Sequence, residues 1–165
     1  MKLASITAVF AAAVPAAGDV QAPQPESVFP VRGHVDWGES GARFGAWRGG
    51  HVHEGEDMFA PAGTPLVCVR SGQVVEKGDD GGRGNYVAIW SRTARRTFVY
   101  LHMRRPTPLA PGERVSAGER VGAVGCTGSC WGDHLHLEVR RGQGTTGHPR
   151  DPLPLLRRLA GRAAP

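Results

Sequence analysis

Short apolar runs recur about every ten residues through the middle of the 165-residue chain, and clusters of turn-forming residues separate them. Six of these runs are predicted to be strands, at residues 66–69, 72–76, 85–90, 97–103, 120–124 and 135–140. The chain contains 24 glycines and 13 prolines, which favours many turns over long helices. Because no helical pattern separates the runs, the sequence predicts an antiparallel all-β domain, with one short helix from Pro154 to near Gly161.

The last of these runs begins directly after His134 and includes His136, so two histidines lie two residues apart. Side chains at positions i and i+2 point to the same face of a strand. The two imidazoles are therefore expected side by side, while Leu135, Leu137 and Val139 face the opposite way. A His-x-His pair on a strand suits a metal ion, but the remaining ligands must come from elsewhere in the chain.

A histidine and an aspartate four residues apart, His53 and Asp57, are the candidates for those remaining ligands. Gly55 and the upstream pair Gly49 and Gly50 indicate a loop, in which a permissive glycine lets both side chains reach one ion. Together with one histidine of the later pair, they make a set of two histidines and one aspartate. Three such ligands leave one tetrahedral position of Zn²⁺ open for water, which is the arrangement of catalytic zinc sites.

A further histidine, His102, lies in the predicted strand 97–103, where alternation places it on the face shared with Tyr100 and Phe98. If this strand neighbours the strand of His134, these two histidines flank the metal. One would then assist deprotonation of a water molecule, and the other would hydrogen-bond the oxyanion that forms on carbonyl attack.

These residues belong to a series of short motifs that resembles the LytM/lysostaphin-type zinc peptidases, which cut peptidoglycan peptides. The resemblance covers roughly residues 29–152. Each motif alone is weak, but their order and spacing together are specific. In chain order the motifs are His53-x-Gly55-x-Asp57, Gly63-Thr64-Pro65, Gly84-Asn85, Tyr100-Leu101-His102, Gly118-Glu119-Arg120-Val121-Gly122, Gly125-Cys126-Thr127-Gly128 and His134-Leu135-His136-Leu137-Glu138.

By this resemblance the metal ligands are His53, Asp57 and His136, and the catalytic residues are His102 and His134. The resemblance implies a Zn²⁺ cofactor and a small β-sandwich or twisted antiparallel sheet, with long loops that form a groove. It also implies a secreted zinc endopeptidase that hydrolyses peptide bonds in the stem or cross-bridge of peptidoglycan through a zinc-activated water.

Three other interpretations compete with this one. Some relatives have lost ligands and act without catalysis, so a wall-binding or amidase-regulating module is the main alternative, although this chain keeps all five positions. Cys126, Cys130, His134 and His136 would form a closed structural zinc site, but the upstream histidine and aspartate then have no role. A biotin- or lipoyl-carrier fold lacks a suitable lysine, because Lys77 lies near a turn without the flanking pattern.

The N-terminus has the pattern of a secretory signal peptide, with Lys2, an apolar run over residues 3–14, and small residues before Asp19. The apolar run is about 12 residues long, short of the roughly 20 that span a bilayer. The protein is therefore expected to be secreted or to act in the cell envelope. The expected organisation is a signal peptide at 1–18, a linker at 19–27, the peptidase domain at 28–153 and a C-terminal tail or short helix at 154–165.

Three cysteines, Cys68, Cys126 and Cys130, occur in a chain that is expected to reach an oxidising compartment. A disulfide between Cys126 and Cys130 would close a small loop beside the histidine pair and leave Cys68 as a buried thiol. Other pairings are compatible with the sequence.

The formal net charge of +5, carried almost entirely by arginine, suits polyanionic partners. Nucleic acid is not expected, because the sequence has neither a basic stripe interleaved with aromatic residues nor a nucleic-acid-binding motif. The expected partners are peptidoglycan peptides, together with possible anionic cell-wall polymers, and the protein is expected to be a monomer.

Neighbouring polar residues are expected to play lesser parts. His51 is an alternative ligand, but the spacing to the aspartate and the family resemblance both favour His53. Glu54 and Glu56 are expected to be surface charges. Glu138 is expected either to orient the neighbouring histidine or to pair with an arginine.

Overall fold

The computed structural model describes residues 26–162. The predicted signal peptide at 1–18, most of the predicted linker at 19–27 and the last three residues of the predicted tail lie outside the described residues. Within the described range, no helix has both the length and the apolar character to cross a membrane.

Strands account for most of the regular structure. In chain order the elements are a 3₁₀ turn at Ser40–Ala42, then β1 at Glu56–Phe59, β2 at Pro65–Val67, β3 at Gly72–Asp80, β4 at Gly84–Ser91, β5 at Arg96–Met103, β6 at Arg114–Val115, β7 at Arg120–Ala123, β8 at His134–Arg141, β9 at Pro149–Arg150 and α1 at Leu153–Arg162. The six predicted strands correspond to β2, β3, β4, β5, β7 and β8. The sequence pattern does not predict β1, β6 and β9, because they are two to four residues long and carry charged side chains.

The strands form two antiparallel sheets. The larger sheet has seven strands in the order β1-β8-β5-β4-β3-β6, with β9 paired to β8, and the smaller sheet joins β2 to β7. All of these pairs are antiparallel, so the expected all-β antiparallel fold is confirmed. The order places β1 beside β8, which brings the early candidate ligands next to the late histidine pair.

One buried cluster packs the inner face of the large sheet against β2, β7 and α1. On β8 this inner face consists of Leu135, Leu137 and Val139, as alternation predicts, so His134 and His136 lie on the opposite face. Burial of three such side chains stabilises the fold by roughly 1.5–3 kcal/mol each. The core therefore fixes which way the histidines point.

The C-terminal helix α1 covers one end of this core. Leu153, Leu156 and Leu159 are buried at a spacing of three residues, which puts them on one helical face. The Asp151 carboxylate accepts a 2.8 Å hydrogen bond from the Leu153 backbone nitrogen and caps the first turn. The expected short helix is confirmed, with its ends within one residue of the prediction.

Candidate metal centre

Asp57 and His136 are direct cross-strand partners in the pairing of β1 with β8. Such partners project from the same face of an antiparallel pair and lie close enough for their side chains to touch. Asp57 Oδ1 is accordingly 2.9 Å from His136 Nδ1. The predicted loop is therefore wrong for Asp57, which lies in a strand, because pairing with β8 overrides the poor strand propensity of two adjacent carboxylates.

His53 reaches the same place from the loop that precedes β1. Its backbone nitrogen donates to the Ala46 carbonyl at 2.8 Å, which holds the loop against itself. Its ring Nδ1 lies 2.9 Å from the Arg43 carbonyl oxygen and donates to it. The other ring nitrogen, Nε2, is 3.0 Å from Asp57 Oδ1 and 2.9 Å from His136 Nδ1.

Gly55, between His53 and Asp57, is required for a close approach and not for an unusual backbone angle. A Cβ atom there would lie 2.6 Å from His136 Nε2 and 2.6 Å from the Leu137 carbonyl oxygen. Real Cβ atoms do not come that near to other heavy atoms, so a side chain would push β8 away. The sequence predicts that Gly55 is needed for its backbone flexibility, whereas the structure shows that it is needed because there is no space for a side chain.

The three candidate ligand atoms form a triangle with sides of 2.9–3.0 Å, and all three residues are buried. Because His53 Nδ1 donates to a carbonyl, the neutral ring presents a lone pair at Nε2. A proton on His136 Nδ1 can form a hydrogen bond with either His53 Nε2 or Asp57 Oδ1. A cation at the centre can instead bind all three atoms of the triangle. Two imidazole nitrogens and one carboxylate oxygen are a donor set that fits Zn²⁺.

The electrostatics of the site also favour a cation. Burial raises the pKa of the Asp57 carboxyl, but the neighbouring rings of His136 and His53 outweigh burial and hold this pKa well below its usual range. Burial likewise raises the pKa of Glu138, and hydrogen bonds from His136 and Arg140 bring it down to about 2. Both carboxyls are therefore anionic at neutral pH, so that Asp57 brings negative charge to one corner of the triangle and Glu138 brings it beside His136.

Outside the triangle, two arginines bind the carboxylates. Arg48, which the sequence does not single out, donates from one guanidinium nitrogen to Asp57 Oδ2 at 2.6 Å. Glu138 lies 3.4 Å from His136 Nε2 and accepts a 2.6 Å hydrogen bond from Arg140, so the two expected roles of Glu138 occur together. Arg140 also donates to Glu54 at 2.5 Å, which ties the loop before β1 to β8.

The alternation of β5 breaks at His102. Between β4 and β5 the register shifts by one residue, and His102 has a φ of +59°, in the left-handed region. Bulges of this kind re-aim a side chain. The expected position beside Tyr100 and Phe98 is therefore wrong, because the His102 ring lies 4.9 Å from the His134 ring and lines the groove.

His102 and His134 are both held by backbone carbonyls of the loop before β8. His102 Nδ1 lies 2.8 Å from the Thr127 oxygen, and His134 Nδ1 lies 2.8 Å from the Gly132 oxygen. Burial lowers the pKa of His102 to about 4 despite the Thr127 bond, so this ring is neutral at neutral pH. His134 Nε2 is 3.6 Å from Asp57 Oδ1, beside the triangle and not part of it.

The same loop contains a disulfide between Cys126 and Cys130, whose Cα atoms are 5.3 Å apart. Cys68 is a buried thiol in the core. The alternative zinc site built from two cysteines and two histidines is therefore excluded by the structure, because the two sulfur atoms are bonded to each other.

Two other polar residues lie where the sequence does not fully predict. Glu56, expected at the surface, is completely buried, because its side chain projects to the inner face of β1. It accepts a 2.9 Å hydrogen bond from the Gly38 nitrogen, and burial raises its pKa. His51 lines the groove but is exposed and lies outside the triangle, whereas His53 is part of it.

The triangle opens into a groove of about 820 Å³. Trp131 and Phe59 both line this groove, where Trp131 is 82% exposed and Phe59, which lies beside His134, is 37% exposed. The residues that line the groove are Arg48, His51, Val52, His53, Glu54, Asp57, Phe59, Gly82, Leu101, His102, Ser129, Trp131, His134, His136 and Glu138. An extended peptide segment has room to lie along this groove, across the face of the triangle.

Residues 51–152 match the model of peptidase family M23, a span that includes both halves of the triangle and both flanking histidines. The chain belongs to peptidase family M23. Membership confirms the resemblance to LytM/lysostaphin-type peptidases.

Two curated relatives and one solved structure show how far the similarity of this M23 chain extends. The chain is 38% identical to the peptidoglycan DD-endopeptidase ShyC of Vibrio cholerae over 115 residues, which cover 68% of this chain and 25% of that protein. It is 30% identical to lysostaphin of Staphylococcus simulans over 109 residues, which cover 66% of this chain and 22% of that protein. The M23 chain therefore matches about a quarter of the length of these curated relatives.

The fold agrees with the catalytic domain of Staphylococcus simulans lysostaphin, crystallized in the absence of phosphate. The TM-score is 0.66 at 28% sequence identity, and the match covers 74% of this chain and 92% of that domain. The similarity to lysostaphin thus extends over nearly the whole of that catalytic domain.

Proposed function

We propose that this M23 chain is a zinc endopeptidase that hydrolyses peptide bonds in the stem or cross-bridge peptides of peptidoglycan. The observation that carries the proposal is the buried triangle of His53, Asp57 and His136, with His102 and His134 beside it in an open groove. The relatives that share this domain are named as peptidoglycan or glycyl-glycine endopeptidases, which supports a cell-wall peptide as the substrate.

In this proposal His53 Nε2, Asp57 Oδ1 and His136 Nδ1 hold the zinc ion. Bound there, Zn²⁺ supplies Lewis-acid chemistry, which polarises a carbonyl and makes a water molecule more acidic. The remaining ring contacts keep the ligands in place: His53 Nδ1 on the Arg43 carbonyl and His136 Nε2 near Glu138. Such outer contacts fix the orientation of ligand rings.

His102 and His134 perform the proton chemistry. Each ring donates from Nδ1 to a carbonyl, so its Nε2 is the nitrogen left to act on substrate. One accepts a proton from the attacking water at Nε2 and passes it to the leaving amine. The other takes up a proton from solvent at Nε2 and then donates a hydrogen bond from that nitrogen to the oxygen of the carbonyl under attack. General acid–base catalysis of this type contributes about 10²–10⁴-fold in rate.

The test is digestion of purified peptidoglycan by the mature protein, with release of fragments followed by mass spectrometry. We expect about one zinc per chain, loss of activity with a chelator and recovery when zinc is restored. Peptidoglycan with glycine bridges and peptidoglycan with direct diaminopimelate cross-links separate the two substrate types. If the zinc-loaded protein leaves both kinds of wall and the corresponding short peptides intact, the proposal is wrong.

The alternative of a non-catalytic, amidase-regulating module makes the opposite prediction for one variant. His134→Ala removes a ring that lines the groove and should lower the rate of hydrolysis by about 10²–10⁴-fold. If the biological effect of the protein survives this substitution, the groove binds a partner and does not cut one.

We also propose that the protein acts in the cell envelope, with residues 1–18 removed as a signal peptide. Support comes from the sequence pattern and from the names of the cell-wall relatives. N-terminal sequencing of the protein recovered outside the cytoplasm should give a start near Asp19. A start at Met1 would contradict this assignment.

Anionic cell-wall polymers are proposed as a second kind of partner. A separate cavity of about 370 Å³ is lined by Arg104, Arg105 and Arg120, and no acidic side chain from the described part of the chain lines it. Arginine binds phosphate and carboxylate groups through paired hydrogen bonds. This cavity would hold the protein to the wall without occupying the groove.

A further inference from the structure

One short loop holds both of the histidines that flank the triangle. The carbonyl of Thr127 accepts from His102, and the carbonyl of Gly132 accepts from His134, each at 2.8 Å. These two histidines lie on different strands, 32 positions apart in the sequence (134 − 102). Their ring orientations therefore depend on the position of a single segment, residues 126–132, which we name the carbonyl loop.

The carbonyl loop is fixed to the sheet through Thr127. Its hydroxyl accepts a 2.9 Å hydrogen bond from the Asn85 nitrogen and donates a 2.9 Å hydrogen bond to the Met103 carbonyl. This links the loop to the start of β4 and the end of β5, the same strand end that carries His102. The hydroxyl is thus satisfied in both directions and cannot shift without losing a partner.

Two further features restrict the carbonyl loop. Gly128 lies against β4 so closely that a Cβ atom on it would be 2.2 Å from the Gly84 nitrogen. The disulfide between Cys126 and Cys130 closes the segment that contains Thr127 and Gly128. A five-residue ring has few alternative conformations, so the Thr127 carbonyl has little freedom to turn away from His102.

We propose that the carbonyl loop sets the tautomer of both flanking histidines, with Thr127 as a positioning residue; this inference rests on the proposed function. A neutral imidazole carries its proton on one nitrogen, and the hydrogen bond made by that nitrogen decides which one it is. A carbonyl facing Nδ1 keeps the proton there and leaves the lone pair at Nε2, toward the groove. Without the carbonyl, the proton populates Nε2, and a ring in that form cannot accept a proton from water.

The test uses Thr127→Val, which keeps the shape of the side chain and removes both hydroxyl hydrogen bonds. The matched control is Thr64→Val, which removes a 2.7 Å hydroxyl bond to the Pro61 carbonyl in a loop away from the groove. We expect Thr127→Val to lower kcat about tenfold, equivalent to 1.4 kcal/mol, with KM and zinc content within twofold of wild type. Thr64→Val should leave all three unchanged.

A second readout does not require activity. Nitrogen-15 NMR of the histidine rings in the zinc-loaded protein should show His102 and His134 as single Nδ1–H tautomers. Thr127→Val should shift the His102 signals toward exchange between tautomers, while the control keeps the wild-type pattern. If wild type has no hydrolytic activity, the proposed function fails, and this spectrum still decides the role of the loop.

The disulfide is tested by the pair Cys126→Ser with Cys130→Ser, which should change the rate and the ring signals in the same direction as Thr127→Val. The inference is overturned if Thr127→Val retains wild-type kcat and ring signals. It is equally overturned if zinc is lost in parallel with rate, because Thr127 would then support the metal site as a whole. Should the double serine variant not fold, the Thr127 variant alone carries the decision.

Discussion

Asp57 is bound on both of its oxygens, by ring nitrogens at Oδ1 and by Arg48 at Oδ2. Arg48 holds the carboxylate plane so that Oδ1 points at the triangle, and it balances part of the negative charge. A partner of this kind is a positioning residue, because it acts through Asp57 and stays on the far side of the carboxylate from the triangle.

Replacing Arg48 with glutamine should weaken zinc binding by roughly tenfold, since outer contacts of metal ligands are worth about 10–100-fold in affinity. Competition with a chromophoric chelator measures this change. The control is Arg92→Gln, which removes an exposed arginine in the turn between β4 and β5. Equal zinc affinity for the two variants would show that Asp57 needs no help from Arg48.

The two histidines of β8 should respond differently to alanine. His136→Ala removes one corner of the triangle, so the zinc content of the purified protein should fall sharply. His134→Ala should retain zinc and lose about 10²–10⁴-fold in rate, because the ring stands beside the metal ligands. Metal analysis of both variants decides this, and equal zinc loss would mean that the division of roles between them is wrong.

Among the structural elements, the pairing of β1 with β8 depends on Gly55 having no side chain. Gly55→Ala places a methyl group 2.6 Å from both His136 Nε2 and the Leu137 carbonyl. Overpacking of this kind costs about 1–3 kcal/mol, and here it also separates the metal ligands.

We therefore expect Gly55→Ala to lower Tm by roughly 3–10 °C and to abolish zinc binding. The matched control is Gly41→Ala, where an added Cβ meets nothing within 4 Å. Thermal unfolding and metal analysis of the two variants compare the positions directly. A Gly55→Ala protein with wild-type Tm and zinc content would show that β8 yields easily to the extra methyl group.

Sequence patterns predict the elements that bury long apolar runs. Strand β8 follows its alternation because Leu135, Leu137 and Val139 pack into the core on one side. Strand β1 escapes prediction because it has only four residues, two of which are carboxylates, and it exists through its pairing with β8. The burial of Glu56 is not predicted either, because the local sequence carries no signal for a buried carboxyl.

The candidate site is predictable in its membership and less so in its geometry. The spacing of His53 and Asp57 predicts two corners of the triangle, and the family resemblance selects His136 from the later histidine pair as the third. The position of His102 is not predictable from alternation, because a bulge with a left-handed residue reverses the face. The role of Arg48 is not predictable either, because its contact with Asp57 depends on the conformation of a loop that has no recognisable sequence pattern.

For the whole molecule, the net charge of +5 and the arginine-lined cavity predict salt-sensitive binding to anionic polymers. Retention on purified teichoic acid should fall as ionic strength rises, because exposed charges are screened beyond about 8–10 Å at 0.1–0.15 M salt. The triple variant Arg104→Gln, Arg105→Gln, Arg120→Gln should bind more weakly than the control triple Arg92→Gln, Arg157→Gln, Arg158→Gln. Equal retention of the two triple variants would show that net charge alone, and not the arginine-lined cavity, determines binding.

Within residues 26–162, the outermost strand β1 pairs with β8 alone, apart from an isolated bridge between Asp36 and Phe59. An ion held by Asp57 and His136 would link β1 to β8 through two residues that lie 79 positions apart in the sequence. Stripping the ion leaves β1 as a segment that opens easily, and an opened edge uncovers backbone groups on β8 that can pair with another chain. Chelation should therefore speed amide hydrogen exchange in β1 and also promote aggregation. The metal would then keep the protein soluble in addition to taking part in catalysis.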